Sequence, residues 1–458
     1  MYTKSFNWKN PRKRTPAYYF GLLRRRSDEA LLESTRMGKN GRFSYIALDS
    51  DTAINSREDH VFVNGIWQRG NPLDIVKEKI RAVEEKRPGG FPLFYGGAIG
   101  YLGYDLKNVI EPKLKTNSRR DTNFWDMYMF FPRVVIGFDH LSRKIFLSAR
   151  DNPSIDIGKL ESVLREENSP NQDISQAELK NTSFTTNLSF KEYRKLFNRA
   201  KEYIRSGDTY QVKISIRHEF DALFDSWQAY QKLRLSNSSS YSAFLDLENT
   251  TLVSCSPEEL VRLEERVAET RPIGGTYPRG ASEDEDKDKD IARSFFEDEK
   301  EVAEHVMLID LERNDLGRVC RPGSVKVAKT MMLEKYTNLM HIVTTIQGDL
   351  DYGRDSFDLI KSMFPGGTVT GCPKIRAMEI IDELEPVARG PYTGSVGFIT
   401  PSDECQFNIL IRTLAIDKTT EKGYVQVGGG IVADSNAEYE YQENLRKGKA
   451  IMDEINNR

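Results

Sequence analysis

The sequence predicts a mixed α and β chain in which a strand-rich first third precedes a larger region of strands and long helices. Three observations carry this expectation. Residues 15–150 break into short apolar segments between turn signals, as in Gly41-Arg42-Phe43-Ser44-Tyr45-Ile46-Ala47-Leu48 and Phe130 to Phe138, the pattern of antiparallel strands. From Glu166 to about Ser189 the chain turns polar and offers few large side chains to bury. Beyond it, apolar residues recur at helical spacing. The expected organisation is a sheet-rich region over 15–165, a linker or excursion over 166–189, and a second unit over 190–455.

Taken in order, Leu196, Phe197, Ala200, Tyr203 and Ile204 mark a helix, Gly207 stands where it would end, and Tyr210 to Phe220 reads as a strand. Glu283 to Asp290 reads as a solvated turn. Glu297 to Arg318 should be one long helix with an acidic first turn, and on it Glu304, Leu308 and Leu311 share a face. A carboxylate on an apolar face needs a partner, either an arginine in an internal salt bridge or a bound cation. Ser435, with Glu438 three residues on, reads as a capping box opening a helix to about Ile455. Glu440 and Glu443 then face the same way; they either pair on the surface with Lys447 or join a cation site. Carboxylates grouped near glycine-rich segments fit Mg²⁺, which takes a few carboxylates plus substrate oxygens.

Composition narrows the classes. The 458 residues carry 66 Lys and Arg against 69 Asp and Glu, a net charge of −3, which argues against a nucleic-acid or anionic-membrane surface. No apolar run approaches a membrane span, and the basic start, Met1 to Arg14, has none behind it, so a cytoplasmic location is expected. Cys255, Cys320, Cys372 and Cys405 show no metal-ligand spacing and read as reduced thiols. Only five histidines are available for proton transfer near neutral pH.

Three glycine-rich turns are expected, at Pro272 to Thr276, Phe364 to Lys374 and Gly428-Gly429-Gly430, either as plain tight turns or as places where backbone N–H groups meet an anion. The second has Cys372-Pro373 where a nucleotide loop would have Gly-Lys-Ser/Thr. Pro373 instead suits the first turn of a helix through Glu383, whose N-terminus could hold a carboxylate with help from Lys374. His341 lies in an apolar segment, where a satisfied core histidine is the ordinary reading. Arg412 interrupts an otherwise buried strand pattern and calls for an internal anion. Together these features describe a pocket for a small dicarboxylate.

From Leu31 to Lys449, and most densely in Arg271–Gly280, Glu299–Arg318, Phe364–Glu385 and Gly428–Glu443, the chain resembles the chorismate-utilising enzymes, the family of anthranilate synthase and aminodeoxychorismate synthase component I. The resemblance implies an α/β (α+β) fold of two large, mostly antiparallel sheets in a sandwich flanked by helices, with the active-site cleft in the C-terminal chorismate-binding region. It implies that Glu304 and Glu443 hold Mg²⁺ with Glu440 beside them. Gly275, Thr276, Tyr392, Arg412 and Gly428 to Gly430 fall on chorismate-contacting positions, His341 on the catalytic histidine, and Glu258 on the acid that helps the C4 hydroxyl depart. Relatives that add water carry a lysine where this chain has Gln211, which implies ammonia as nucleophile. Nothing in the chain resembles a glutamine amidotransferase, so a separate glutaminase subunit (component II) is implied.

Gly274 stands where many aminodeoxychorismate synthases carry a nucleophilic lysine and anthranilate synthases an alanine. Lys213, two residues from Gln211, reads as a solvated surface lysine, with a stand-in for the missing lysine as the alternative. Leu31 to Ser34 matches the element that binds feedback tryptophan in anthranilate synthases, but its partner segment reads Asn237-Ser238-Ser239-Ser240-Tyr241-Ser242. The resemblance leans to amination of chorismate at C4, an aminodeoxychorismate synthase in 4-aminobenzoate and folate synthesis. The alternative is anthranilate synthase in tryptophan synthesis, and a non-catalytic chorismate-binding scaffold is the remote one.

Overall fold

The computed structural model describes residues 1–458 except 26, 36–40, 84, 115–117, 151, 167–182, 238, 279–289, 291–292, 294, 336–338 and 456–458. Most of the expected polar excursion and of the acidic turn at 283–290 lies outside the described residues.

Two long strands, Phe43–Arg57 and Met127–Asp139, organise the molecule. They pair along nearly their whole length, and each bends where the register slips between Ser50 and Thr52, opposite Pro132. A proline donates no ladder hydrogen bond, so a bulge is where a strand tolerates one. The bend lets both strands serve two sheets. In the first, the order runs Tyr2–Asn7, Lys144–Ala149, Met127–Asp139, Phe43–Arg57, Glu29–Glu33, Tyr241–Asp246, Thr250–Ser256, Thr413–Asp417, Lys422–Ile431, Gln211–Asp221. In the second, the same pair continues through Ala98–Leu102, Ser395–Ile399, Cys405–Ile409, Glu259–Glu264, Val267–Thr270 and Leu339–Asp349. Ile273–Pro278 and Lys326–Lys335 flank that last strand on its two edges. All these pairings are antiparallel, and in each sheet the strands before the polar excursion form one block joined to those after it at one pairing, Glu29–Glu33 with Tyr241–Asp246 in the first and Ala98–Leu102 with Ser395–Ile399 in the second.

The sheets face each other across a core of Ala30, Tyr45, Ala243, Leu252, Ile99, Val396 and Phe398. Tyr45 of the first sheet meets Phe398 of the second with ring centroids 5.3 Å apart, which is the expected sandwich. Helices cover the outer faces. Pro72–Arg81, Glu299–Gly317 and Ser356–Met363 pack on the second sheet. Phe190–Arg205, Lys374–Leu384 and Ala437–Ile455 gather where the Gln211–Asp221 and Lys422–Ile431 strands lie side by side. Gly207, at φ +82, follows the first of these helices as the sequence predicts. Among the described residues no helix is long and apolar enough to cross a membrane.

Candidate active site

The floor of the site is backbone. Gly428, Gly429 and Gly430 sit inside the strand Lys422–Ile431, opposite Ser215, Ile214 and Lys213, and not in a turn as their composition suggested. Glycine is needed here for proximity. A Cβ at Gly428 would stand 2.8 Å from the Tyr392 hydroxyl, one at Gly429 3.0 Å from Glu440 Oε2, and one at Gly430 2.8 Å from Gln211 Nε2. Gly274 and Gly275 likewise lie in a strand, Ile273–Pro278, with a bulge between Ile273 and Gly275, and Thr276 faces His341 across the ladder. The third run is buried packing: a Cβ at Gly367 would strike the Leu311 side chain at 2.3 Å, and one at Gly371 the Gln211 carbonyl at 2.1 Å. Its glycines let a helix and a strand approach, leaving no open loop for an anion.

Two helices bring carboxylates to this floor. Asp298 caps Glu299–Gly317 through the N–H groups of Lys300 and Glu301, and Glu301 and Glu304 follow one turn apart. Glu304 is half-buried, and its charged neighbours are Lys300 and Lys213 rather than an arginine. Burial pushes its carboxyl above the usual range, and Glu443 adds to the rise. Glu301 is raised by burial and by Glu304. The facing helix is capped by Asn436, which accepts from Glu438 and Tyr439 N–H at 3.0 and 3.1 Å. The expected Ser435 cap is displaced because its hydroxyl accepts from Val432 N–H at 3.1 Å. Glu440 is buried and raised, chiefly by that burial and further by Glu443; Glu443 bonds Lys447 at 2.7 Å. Among the described residues no three His, Cys, Asp or Glu side chains enclose a metal position. The donor chemistry nonetheless fits Mg²⁺, which is held by one or two carboxylates and completes its shell with water and substrate oxygens.

Glu258 lies on the other side of the floor. It is buried, its carboxyl accepts the Ile273 N–H at 3.4 Å, and desolvation raises it while Lys213 and Arg412 oppose the rise. Lys213 therefore corrects the surface reading. Its strand pairs with the bare Gly430, so the side chain is half-buried among Glu258, Glu304, Glu443 and Lys447. Gln211 is buried beside it, and its amide oxygen has no hydrogen-bond partner among the described residues. His341 is buried with Nδ1 3.3 Å from the Gly275 carbonyl. Tyr392 has its hydroxyl at Gly428. Arg412 sits between Cys405–Ile409 and Thr413–Asp417 at φ +50, in a bend and not within a strand, and its charge reaches Glu258.

Lys374 does not face this site. Its ammonium is buried 2.5 Å from Asp315 and also donates to the Ser362 and Met363 carbonyls at 3.0 and 3.2 Å. A helix N-terminus with a lysine read as an anion site, but the lysine is consumed by a carboxylate from another helix. Lys374→Met should cost about 3 to 5 kcal/mol in chemical denaturation, because Asp315 is left charged and unpaired. A variant of unchanged stability with a raised substrate KM would restore the substrate-binding role.

Sequence reasoning passed over Glu301 and His305. Glu301 had a signal, the same three-residue spacing from Glu304 that singled out Glu440 and Glu443. His305 is fully buried, Nε2 lies 2.7 Å from Thr344 Oγ1, and burial pushes it down to about 4. A Cβ at Gly274 would stand 2.2 Å from its Nδ1, so the imidazole fills the space a side chain at 274 would need. Glu29–Glu33 pairs with Tyr241–Asp246, and Glu33, Ser240 and Tyr241 border a cavity of about 390 Å³. Glu33 is bound there to Arg234 at 2.7 Å.

A fold of two bent, shared-strand sheets with carboxylates, glycine strands and a histidine in one cleft defines a class of chorismate-converting proteins, and the chorismate binding enzyme family model matches residues 28–453. The chain belongs to that family, as a chorismate-utilising enzyme of the aminodeoxychorismate or anthranilate synthase component I type. It is 38% identical over 444 residues to aminodeoxychorismate synthase component 1 of Bacillus subtilis, covering 94% of this chain and 92% of that protein. It is 39% identical over 442 residues to anthranilate synthase component 1 of Thermus thermophilus, covering 95% and 93%. The structure of anthranilate synthase component I from Streptococcus pneumoniae superposes with a TM-score of 0.79 at 31% identity, over 91% of this chain and 93% of that one.

Proposed function

We propose that the chain is the aminating component of an aminodeoxychorismate synthase, replacing the C4 hydroxyl of chorismate with an amino group from ammonia. The observation that carries the choice of nucleophile is Gln211. Its buried amide oxygen, lacking a partner among the described residues, is an acceptor for an ammonia N–H. An amide has no proton to lose near neutral pH, so it orients a nucleophile without generating hydroxide from water. Glu258, held against the Ile273 N–H, delivers a proton to the departing hydroxyl. His341, held against the Gly275 carbonyl, serves proton transfer at the opposite strand, while Tyr392, Arg412 and the N–H groups of the glycine strands orient the substrate. Glu304 and Glu443 would hold Mg²⁺, with Glu301 and Glu440 beside them, and the chemistry it would supply there is Lewis-acid polarisation of the substrate's ring carboxylate. Free ammonia is a minor species near pH 7, so a glutaminase subunit is the expected partner, in keeping with the component 1 names of the relatives.

A second reading, anthranilate synthase, is favoured by the 39% identity to the Thermus protein. Product analysis separates the two. Purified chain with chorismate, Mg²⁺ and ammonium salt at mildly alkaline pH should yield 4-aminobenzoate only when an aminodeoxychorismate lyase is added. Anthranilate formed without the lyase would assign the second reading, and neither product would leave a non-catalytic chorismate binder.

A further inference from the structure

We infer that Lys213 is a resident cation of the cleft that couples binding of the divalent metal to binding of the dicarboxylate substrate; this rests on the function proposed above. Its place follows from the sheet. Lys213 lies directly opposite Gly430, and with no side chain there to cover it, it projects over the glycine floor among acids. Its charge is felt by Glu258, Glu304 and Glu443. Of the other lysines, Lys447 is bound to Glu443 at 2.7 Å, Lys300 lies one turn before Glu304 on the same helix and acts on that carboxylate from there, and Lys374 is held away from this site by Asp315 at 2.5 Å.

The consequence is electrostatic. A divalent ion entering alone meets carboxylates whose field an ammonium already offsets, and is itself repelled by that ammonium. A dianion entering alone is drawn to Lys213 but repelled by Glu258, Glu304 and Glu443. When both enter, Lys213 turns to a substrate carboxylate, the acids are released to the metal, and the charges balance in a partly desolvated site where such terms are large. Each ligand must then tighten the other by the same factor.

Mn²⁺ titration followed by electron paramagnetic resonance, without ammonia so that no turnover occurs, tests this on the intact chain. In wild type, chorismate should tighten Mn²⁺ about tenfold, within the usual range of coupling between sites. In Lys213→Met, Mn²⁺ alone should bind about tenfold more tightly than in wild type, and the tightening by chorismate should fall well below the wild-type factor, to the part that direct contact between its carboxylate and the ion supplies. Lys213→Arg, which keeps the charge, should keep most of the coupling. Unchanged Mn²⁺ affinity and coupling in Lys213→Met would overturn the inference. Should that variant fail to fold, the wild-type titration decides, since no tightening by chorismate is equally fatal. A wild-type chain that turns over chorismate yet binds no Mn²⁺ would remove the metal reading itself, and the inference with it.

Discussion

Glu304→Gln is expected to lower turnover with chorismate and ammonium by about 10³-fold or more. Metal anchoring of a carboxylate supplies several kcal/mol of charge stabilisation, and about 4 kcal/mol corresponds to three decades in rate. Glutamine keeps the size and the helix position but cannot offer an anionic oxygen. The fold should survive, since Glu304 is only half-buried and removing it relieves repulsion with Glu301 and Glu443. Supplying ammonium directly excludes a defect in glutaminase docking from the result. Near-normal rates in a folded variant would sink the assignment of Glu304 to the metal.

Glu258→Gln should lower the rate by about 10² to 10⁴-fold, the usual contribution of a positioned acid. The pH profile gives the sharper signature. Burial holds this carboxyl above the ordinary glutamate range, so its acid form persists to higher pH than that of an exposed glutamate. Wild-type kcat should therefore fall as pH rises through that raised value, and the variant should lack this limb. The substitution should change stability in the opposite sense to rate. A carboxyl whose folded pKa is raised costs the native state stability progressively as pH climbs from the unfolded value through the folded one. The glutamine variant escapes that loss and should be at least as stable as wild type at pH 8. A variant that retains both the rate and the alkaline limb would place the acid elsewhere.

Local patterns made the proposed carriers of the chemistry legible. Glu304 on an apolar helix face and Glu440 and Glu443 one turn apart are statements about the period of a single helix, and the structure sets Glu440 against Gly429 and brings Glu304 and Glu443 into each other's field. The same holds for the strand at 211–221 and the helix through Leu384. The two bent sheets were legible only through resemblance. Their shared strands depend on one bulge at Ser50 and Thr52 and on pairings such as Glu33 with Ser242, which no local period encodes.

What the sequence determined by itself is which residues carry charge, which faces are apolar, and where backbone is left bare. The tertiary structure alone decided who meets whom. Gly428 to Gly430 read as a turn because glycine permits turns, yet cross-strand register makes them a floor. Lys374 read as an anion ligand, yet Asp315, 59 residues away, takes its charge. Lys213 read as a solvated side chain, yet a glycine opposite it opens the cleft to its ammonium. In each case the local segment is compatible with either environment. The choice belongs to a partner on another element, and burying a charge is tolerated only where the packed fold supplies that partner.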